Sequence, residues 1–482
     1  MIHQFLLLII CMTVFSPKCF SQDANYWTSN YGPGGFFTPG AVVAHNRDSG
    51  VFFYNPALLG LSEKNSTSVS ANIYQFSRIR FKDGVGTGKN LVSSATGIVP
   101  LMAAGTISIK GKQSFTLGYA LIANPVLSFN ANQRLDARID ALDDSYSPGK
   151  EFFVGQYALE NTISQTTGII SFGKKMSDFF SVGGMLQADI RKQNYQVSYN
   201  ARALVNVSSD TIFPPLVSMV VNYAANYYYV GASMKVGLAY NRDRHHAGLM
   251  ISSPSLRLAG TGIIASDIVI GNIRDMSSGT VINLLANARQ DKLKARFKMP
   301  LSVAAGYALD IGKGGQLYLA SEYFTRQQPY NILLPRNDYF VRPDTGGVDK
   351  GSTEQLRLKD ARKALANFAL GLSFYLKPQV MGFAAVRTDF SYADQNAYNN
   401  EEGYTPNITT WNIYHLQAGI NVKKRKFNLR AGLLVSYGGT GNQLQNVNFN
   451  NPNESNFLLG TPQKVRVSYL SAGLMFSYIY NL

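Results

Sequence analysis

Charged side chains are scarce in this 482-residue sequence, and long apolar runs are missing from it. Asp, Glu, Lys and Arg make up 15% of the chain, against roughly 25% in an ordinary soluble domain. No run reaches the about 18 apolar residues that a membrane-spanning helix needs, so a bundle of such helices is excluded. Aromatic residues and glycine are abundant, with 28 Tyr, 28 Phe and 43 Gly. This mixture suits strands whose side chains alternate between lipid and water.

Cysteine is almost absent, and both copies, Cys11 and Cys19, lie in a segment that reads as a secretory signal. The apolar run 5–15 has the length of a signal core and is too short to span a bilayer as a helix. Ser21 is a small residue suited to precede a cleavage site, so we expect the mature chain to begin at Gln22. That chain has no cysteine, which excludes disulfides, thiolate catalysis and Cys-ligated metal centres.

Apolar and polar side chains alternate with a period of two from about residue 65 onward, which is the pattern of β-strands. The clearest case is 194–207, whose apolar face carries Tyr195, Val197, Tyr199, Ala201, Ala203, Val205 and Val207. Aromatic residues tend to end such stripes, as in the girdles at membrane interfaces. About fourteen segments are predicted, near 66–76, 102–110, 113–124, 161–174, 179–207, 226–241, 245–260, 297–310, 314–327, 364–377, 379–393, 408–423, 426–438 and 465–482.

The connections between these segments alternate between short turns and long loops. The largest loops are expected at 125–160, 261–296, 328–363 and 439–464. Short periplasmic turns and long extracellular loops are typical of outer-membrane barrels. The sequence therefore predicts an all-β fold, a transmembrane antiparallel β-barrel of about 14 strands, rather than soluble β-domains in tandem. An apolar stripe through Leu482 resembles the signal read by the barrel-assembly machinery, an expected partner during insertion.

Residues 22–64 do not alternate. They join a Gly/Pro-rich piece, 31–40, to an apolar piece, 41–60. We interpret this segment as a small plug, or hatch, folded into the lumen, because a barrel of fourteen strands leaks unless something fills it. The predicted organisation is a signal peptide at 1–21, a hatch at 22–64 and a barrel at 65–482.

Within the predicted hatch, Asp48 is followed by Tyr54-Asn55-Pro56-Ala57, just ahead of the first strand. This arrangement resembles the FadL family of outer-membrane transporters for long-chain fatty acids and other hydrophobic compounds, and we identify the chain as a Bacteroidetes-type member. Tyr-Asn-Pro-Ala also occurs near the N-terminus of PorP/SprF-like proteins of type IX secretion. From the sequence, Asn55 and Pro56 are interpreted as a turn that anchors the hatch, since Pro56 fixes its own φ and favours an extended Asn55.

The resemblance implies passive transport without catalysis, cofactor or metal. A hydrophobic small molecule or fatty acid would land among the extracellular loops, pass above the hatch and leave sideways through the barrel wall. The family's place for that exit is the third strand, where Gly118 and Asn124-Pro125 are candidates. The candidate ligand groove consists of apolar residues expected in long loops: Leu127, Phe129, Phe152, Phe153, Ile332, Leu333 and Leu334.

Charge suggests further partners, and two alternative functions remain to be considered. The formal net charge of +16 suggests lipopolysaccharide and outer-membrane lipid as partners, whereas nucleic acid is not expected, and we expect a monomer. Candidate cations for a substrate carboxylate are Arg134, Arg138, Arg326 and Arg336. Two other functions are considered: a barrel that anchors a secretion or assembly complex, predicting co-purifying proteins, and a diffusion porin for polar solutes, predicting an unplugged, charged lumen.

Overall fold

The structure is a computed structural model that describes residues 23–27, 43–45, 51–61, 65–109, 114–207, 215–275, 279–312, 314–342, 351–394, 397 and 402–481. The predicted signal peptide with Cys11 and Cys19, its cleavage site, Asp48 and Leu482 lie outside these residues. Within the described ranges, no helix is long and apolar enough to cross a membrane.

The regular secondary structure of the described residues is almost entirely β-strand. Its strands are β1 Ser66–Phe81, β2 Leu91–Ile109, β3 Phe115–Ile139, β4 Glu151–Lys175, β5 Phe180–Leu204, β6 Leu216–Arg242, β7 His245–Ser252, β8 Leu256–Arg274, β9 Val281–Lys294, β10 Ser302–Ile311, β11 Gly315–Phe324, β12 Gln327–Leu333, β13 Val341–Arg342, β14 Leu358–Arg362, β15 Leu365–Lys377, β16 Val380–Asp389, β17 Ile413–Lys423, β18 Phe427–Leu444 and β19 Lys464–Asn481. Short helical turns occupy Val51–Phe53, Pro56–Leu61, Ser352–Gln355 (α1) and Glu454–Asn456.

Fourteen of these strands close into an antiparallel barrel, as the sequence predicts. The ring runs from β1 through β7, then β10, β11 and β15 through β19. It closes because β19 pairs with β1, from Ser66 opposite Asn481 to Phe81 opposite Val467. The pairing of β19 with β1 joins the first and last strands of the ring, and such closure lets a sheet span lipid. The fourteen predicted segments correspond to these fourteen strands.

The predicted seventh strand is interrupted. β7 pairs with the lower part of β6 and with β10, and Ser253-Pro254-Ser255 separates it from β8. β8 pairs with the upper part of β6 and with β9. The predicted strand 245–260 is therefore wrong in its upper part, where the β8–β9 hairpin extends the wall above the ring.

Several predicted loops are strands instead. Leu127 and Phe129 lie in β3, and Phe152 and Phe153 lie in β4, so the predicted loop 125–160 shrinks to the connection between these strands. The predicted loop 261–296 is mostly β8 and β9, and Leu333 ends β12 inside the predicted loop 328–363. β3 to β6 contain 25 to 27 residues each, whereas about 9–11 suffice to cross a membrane. They therefore extend far beyond the bilayer.

The polar and apolar side chains exchange faces along these long strands, as β5 illustrates. In its lower half the outward Leu186 and Ile190 are exposed, and inward residues are polar: Asp189, Arg191 and Gln193. In its upper half the inward residues are apolar and buried, namely Tyr195, Tyr199, Ala201 and Ala203, while Gln196 and Arg202 face solvent. The alternation at 194–207 is thus real, but its apolar face packs inside the barrel instead of facing lipid. Above the membrane the outer wall meets water, so the apolar side chains turn inward.

The largest apolar cluster fills this upper barrel. Loop residues fold down into it and are held by tyrosine hydroxyls of the wall. Tyr199 donates to the carbonyl of Leu458, and Tyr223 donates to the carbonyl of Leu356 over 3.0 Å. The mouth of the barrel is therefore largely packed, and it retains a cavity of about 320 Å³ lined by Tyr157, Tyr195 and Tyr404 among others.

Candidate functional site

Glycines on the inner wall of the barrel admit the N-terminal segment, which here means residues 23–27, 43–45 and 51–61. Gly173, Gly183 and Gly237 stand directly opposite one another on β4, β5 and β6. A Cβ atom at Gly183 would overlap the backbone of Pro56, and one at Gly173 would overlap Leu59. The segment backbone therefore lies directly on the wall.

The same arrangement continues around the barrel on three further strands. A Cβ atom at Gly118 on β3 would meet the ring of Phe52. Gly248 and Gly306, which are paired across β7 and β10, stand against residues 43–44. We call these six residues (Gly118, Gly173, Gly183, Gly237, Gly248 and Gly306) the glycine belt.

Asn55 joins three parts of the chain and is fully buried. Its Nδ2 donates to the carbonyl of Val43 over 2.8 Å and to the carbonyl of Leu238, in β6, over 3.0 Å. Its Oδ1 accepts from the backbone N–H of Ala57 over 3.0 Å, which caps the short helix that Pro56 begins. Tyr54 is also buried, and this motif therefore holds the N-terminal segment against the wall.

Asp23 fixes the other end of the N-terminal segment. Its carboxylate accepts from the N–H of Ile408 over 2.7 Å, the N–H of Thr409 over 2.9 Å and Nδ2 of Asn161 over 3.1 Å. Burial raises the pKa of the Asp23 carboxyl, and hydrogen bonds from Thr409 and the backbone of Ile408 oppose that rise. Trp27 donates its Nε1–H to Oε2 of Glu322 over 2.8 Å. The segment is thus bound by polar contacts as well as by packing.

A cavity of about 190 Å³ remains between this segment and the wall. We call it the lumenal cavity. Its apolar lining includes Phe53, Ile122, Val126, Met250, Phe297, Met299 and Phe324, and its polar lining includes Gln165, Thr167, Gln187, Asp189, Arg191, Lys235 and Glu322. The lumenal cavity is thus amphipathic: its apolar side chains can contact a hydrophobic molecule, and its polar groups can orient one.

Three cations line the lumenal cavity, namely Lys235, Arg191 and Arg362, and Arg362 is ion-paired with Asp360 over 2.9 Å. Lys235 donates from Nζ to the carbonyl of Phe53 over 3.1 Å and lies 4.1 Å from the centroid of its ring. The guanidinium of Arg191 lies 4.0 Å from the ring centroid of Phe297, and its Nε has no hydrogen-bond partner among the described residues. Arg191 can therefore donate a hydrogen bond from Nε to an anionic group in the cavity.

The barrel wall has a gap beside the lumenal cavity. β2 and β3 pair from Ile109 opposite Phe115 up to Met102 opposite Ile122, and there the pairing stops. Higher up, the N–H of Asn130 donates to Oγ of Ser93 over 3.0 Å. Between these contacts, 94–101 and 123–129 share no backbone pairing in the described parts of β2 and β3, and we call this interval the β2–β3 gap.

Irregular backbone accompanies the gap on both sides. The register between β3 and β4 shifts between Pro125 and Leu127, and the register between β1 and β2 shifts near Pro100. Proline cannot donate to a ladder and is found at edges and bulges. Of the two predicted irregularities, Asn124-Pro125 coincides with the shift, whereas Gly118 pairs regularly with Thr106 and Ser171.

Five of the seven residues of the predicted ligand groove lie in the one apolar cluster of the upper barrel, where they form packed core rather than an open groove. Leu127, Phe129, Phe153, Ile332 and Leu333 are buried in the core of the upper barrel. Phe152 and Leu334 are 44% and 48% exposed. The predicted loop location of Leu127, Phe129, Phe152 and Phe153 is wrong, because alternation continues through these residues and makes them strand.

The four predicted carboxylate-binding arginines also lie outside the lumenal cavity. Arg134 pairs with Asp136 over 2.8 Å, and Arg326 lies 3.4 Å from Asp394. Arg138 and Arg336 donate to backbone carbonyls. Sequence reasoning missed Arg191 and Lys235, although the polar run of alternate residues Gln187, Asp189, Arg191 and Gln193 would have indicated an inward polar face.

Comparison with known proteins supports the fold. No protein-family model matches the sequence, and no curated protein matches it. Among solved structures, a FadL homologue of Pseudomonas aeruginosa aligns with a TM-score of 0.55 at 13% identity over 95% of this chain and 100% of that chain. The toluene transporter TodX of Pseudomonas putida gives 0.53 at 13% identity over 96% and 100%. TbuX, a toluene transporter of Ralstonia pickettii, gives 0.52 at 13% identity over 94% and 98%. At such identities the likeness shows a common barrel fold.

Proposed function

We propose that the chain is an outer-membrane channel for passive uptake of hydrophobic small molecules. One observation carries the proposal: the lumenal cavity is lined by Asn124 and Val126, which lie in the β2–β3 gap, and by Ile122, the last paired residue below it. A molecule in the cavity thus stands beside the place where the wall lacks backbone pairing. The fold shared with a FadL homologue and with two toluene transporters is consistent with this function.

In this proposal the N-terminal segment is the plug, and the β2–β3 gap is the exit. The segment lies against the glycine belt and occupies the lumen, so water-filled diffusion straight through the barrel is blocked. A hydrophobic molecule leaves sideways through the gap into the membrane, where its transfer from water is favourable. Membership of the FadL family, and of its Bacteroidetes-type branch, remains a prediction from the sequence.

The size of the lumenal cavity favours small substrates. An apolar cavity of about 150 Å³ is enough to hold benzene, and the lumenal cavity has about 190 Å³. A single substituted ring fits without rearrangement, whereas a long-chain fatty acid requires the cavity to extend along the gap. Arg191 is the proposed partner of any substrate carboxylate, because its Nε is unpaired among the described residues and charge-assisted hydrogen bonds are the strong ones.

The test is uptake by cells that lack their own hydrophobic-compound porins, with and without this chain in the outer membrane. Labelled toluene, benzoate and oleate are compared. We expect saturable uptake that depends on the chain and is fastest for the small ring compounds. Absence of uptake for all three, with the barrel shown to be inserted, would contradict the proposal.

The variant Arg191→Gln distinguishes binding of a substrate carboxylate by Arg191 from passage of the substrate through the lumenal cavity and the β2–β3 gap. Losing a charged hydrogen bond costs about 1.5–3 kcal/mol, so the half-saturation concentration for benzoate should rise about tenfold or more, with toluene uptake unchanged. Arg134→Gln is the matched control, because that arginine is exposed and ion-paired outside the cavity. Equal losses for benzoate and toluene would show that Arg191 acts on the fold rather than on the carboxylate.

A further inference from the structure

Five cations are grouped on the outer wall where the chain closes the barrel. Arg78, Arg80 and Lys82 alternate along β1 and the residue after it, and Lys464 and Arg466 alternate along β19. All five side chains are exposed. We call them the basic patch.

Strand register makes the basic patch compact. Arg80 stands opposite Ser468, and the N–H of Lys82 donates to the carbonyl of Arg466 over 2.8 Å. Alternate residues of a strand are about 7 Å apart, and neighbouring strands are about 4.8 Å apart. The five charges therefore share one small area of wall, and its position is fixed by hydrogen-bonded strands rather than by a loop.

The basic patch has no acidic counterpart on its strands. The described residues of β1, β2, β18 and β19 include no Asp or Glu. No ion pair to any of the five cations is present among the described residues. Arg134, also outward on a long strand, is by contrast paired with Asp136. Five like charges held this close repel each other, so an anion that neutralises them binds favourably.

The height of the basic patch points to the headgroup layer of the outer leaflet. Immediately below it the outer wall is apolar and aromatic, with Tyr74, Tyr437 and Leu470 exposed by 55%, 62% and 45%. Tyr437 and Leu470 face each other across β18 and β19, and Leu470 also faces Arg78 across β19 and β1. Tyrosines at the edge of an apolar band mark the membrane interface.

We propose that the basic patch binds the phosphates of lipid A, the membrane anchor of lipopolysaccharide. A doubly phosphorylated headgroup lying flat on the interface presents anions at the level of these arginines, and arginine binds phosphate through paired hydrogen bonds. Its acyl chains would lie on the apolar wall below. This lipid site is independent of the transported compound and of the lumenal cavity.

The experiment uses the full-length protein in lipid nanodiscs and compares doubly phosphorylated lipid A, monophosphoryl lipid A and phosphatidylglycerol. The test variant carries Arg78→Gln, Arg80→Gln and Arg466→Gln, which keep much of each side chain. The matched control carries Lys424→Gln, Arg425→Gln and Lys426→Gln, which removes three exposed cations from the β17–β18 turn at the opposite rim. Both variants are first checked for heat-resistant, inserted barrels.

Each cation near an anionic lipid surface contributes about a fivefold change in affinity, so the test variant should bind lipid A on the order of 100-fold more weakly. The control should stay within about twofold, monophosphoryl lipid A should bind with intermediate affinity, and phosphatidylglycerol should compete poorly. Unchanged binding by the test variant would overturn the proposal. Equal losses in both variants, or competition by phosphatidylglycerol as strong as that by lipid A, would also overturn it, since either result means unspecific attraction.

Discussion

Single glycines decide how closely the N-terminal segment approaches the wall. In a strand, glycine costs about 0.5–1 kcal/mol relative to alanine, so three glycines in register on β4, β5 and β6 carry a clear cost to the barrel. The contacts explain their presence, because Pro56, Leu59 and Asn55 occupy the space that side chains would fill. We infer that these glycines lower the stability of the barrel and allow the N-terminal segment to pack closely against its wall.

Gly183→Ala should therefore have opposite effects on the barrel and on the N-terminal segment. The barrel should resist thermal unfolding equally well or slightly better, whereas overpacking against Pro56 should weaken the segment by about 1–3 kcal/mol. Hydrogen exchange of residues 51–61 should then speed up by about 5- to 150-fold. Gly168→Ala on β4 is the control, since a Cβ atom there meets nothing within 4 Å. Faster exchange in the control as well would refute the role of the glycine belt.

The Tyr54-Asn55-Pro56-Ala57 motif was accessible from the sequence only through its resemblance to a family. Nothing in the local pattern indicates that Asn55 bonds to residues as distant as Leu238. The predicted groove around Leu127 and Phe153 shows a second limit of prediction from the sequence. Their burial depends on whether a strand face lies above or below the membrane surface, and alternation alone does not distinguish the two.

At the scale of elements, alternation was enough to place fourteen strands, because each strand has one buried and one exposed face over most of its length. The alternation does not show where the environment of a strand face changes along the strand. β5 keeps its period of two across residue 194 while its inward face changes from polar to apolar. The sequence predicts loops at the extensions of β3 and β4 and at the β8–β9 hairpin, because turn lengths and membrane-facing stripes do not identify strands that continue above the membrane.

The β2–β3 gap gives a prediction at this scale. Thr96→Cys on β2 and Ser128→Cys on β3 flank the gap, and a short bifunctional thiol reagent that joins them should reduce uptake of hydrophobic compounds to background. The route is closed without altering the lumen. Each single-cysteine variant treated with the same reagent should keep its uptake.

The matched control for that closure joins Ser108→Cys and Thr116→Cys, which stand opposite each other where β2 and β3 are already hydrogen bonded. A bridge at this position should leave uptake unchanged. If the bridge across the gap also left uptake unchanged, substrate would have to leave by another route, and the sideways exit would be abandoned.

At the scale of the whole molecule, the barrel and the N-terminal segment depend on contacts between residues far apart in the chain. Asp23 is bound by residues 408–409, and Asn55 is bound to β6. The wall itself closes through β1 and β19 without the segment. The hydrogen bonds that close the ring therefore do not involve the N-terminal segment.

Deleting residues 22–60 should accordingly leave an inserted, heat-resistant barrel with several-fold higher single-channel conductance and reduced discrimination between hydrophobic and polar solutes. The reason is that the lumenal cavity loses the wall formed by Phe53 and Tyr54, so water and ions gain a continuous path. Planar-bilayer recordings measure the conductance, and swelling of sugar-loaded liposomes measures the selectivity. A folded deletion variant with the conductance of the intact chain would mean that the packed mouth of the barrel, rather than the N-terminal segment, seals the channel.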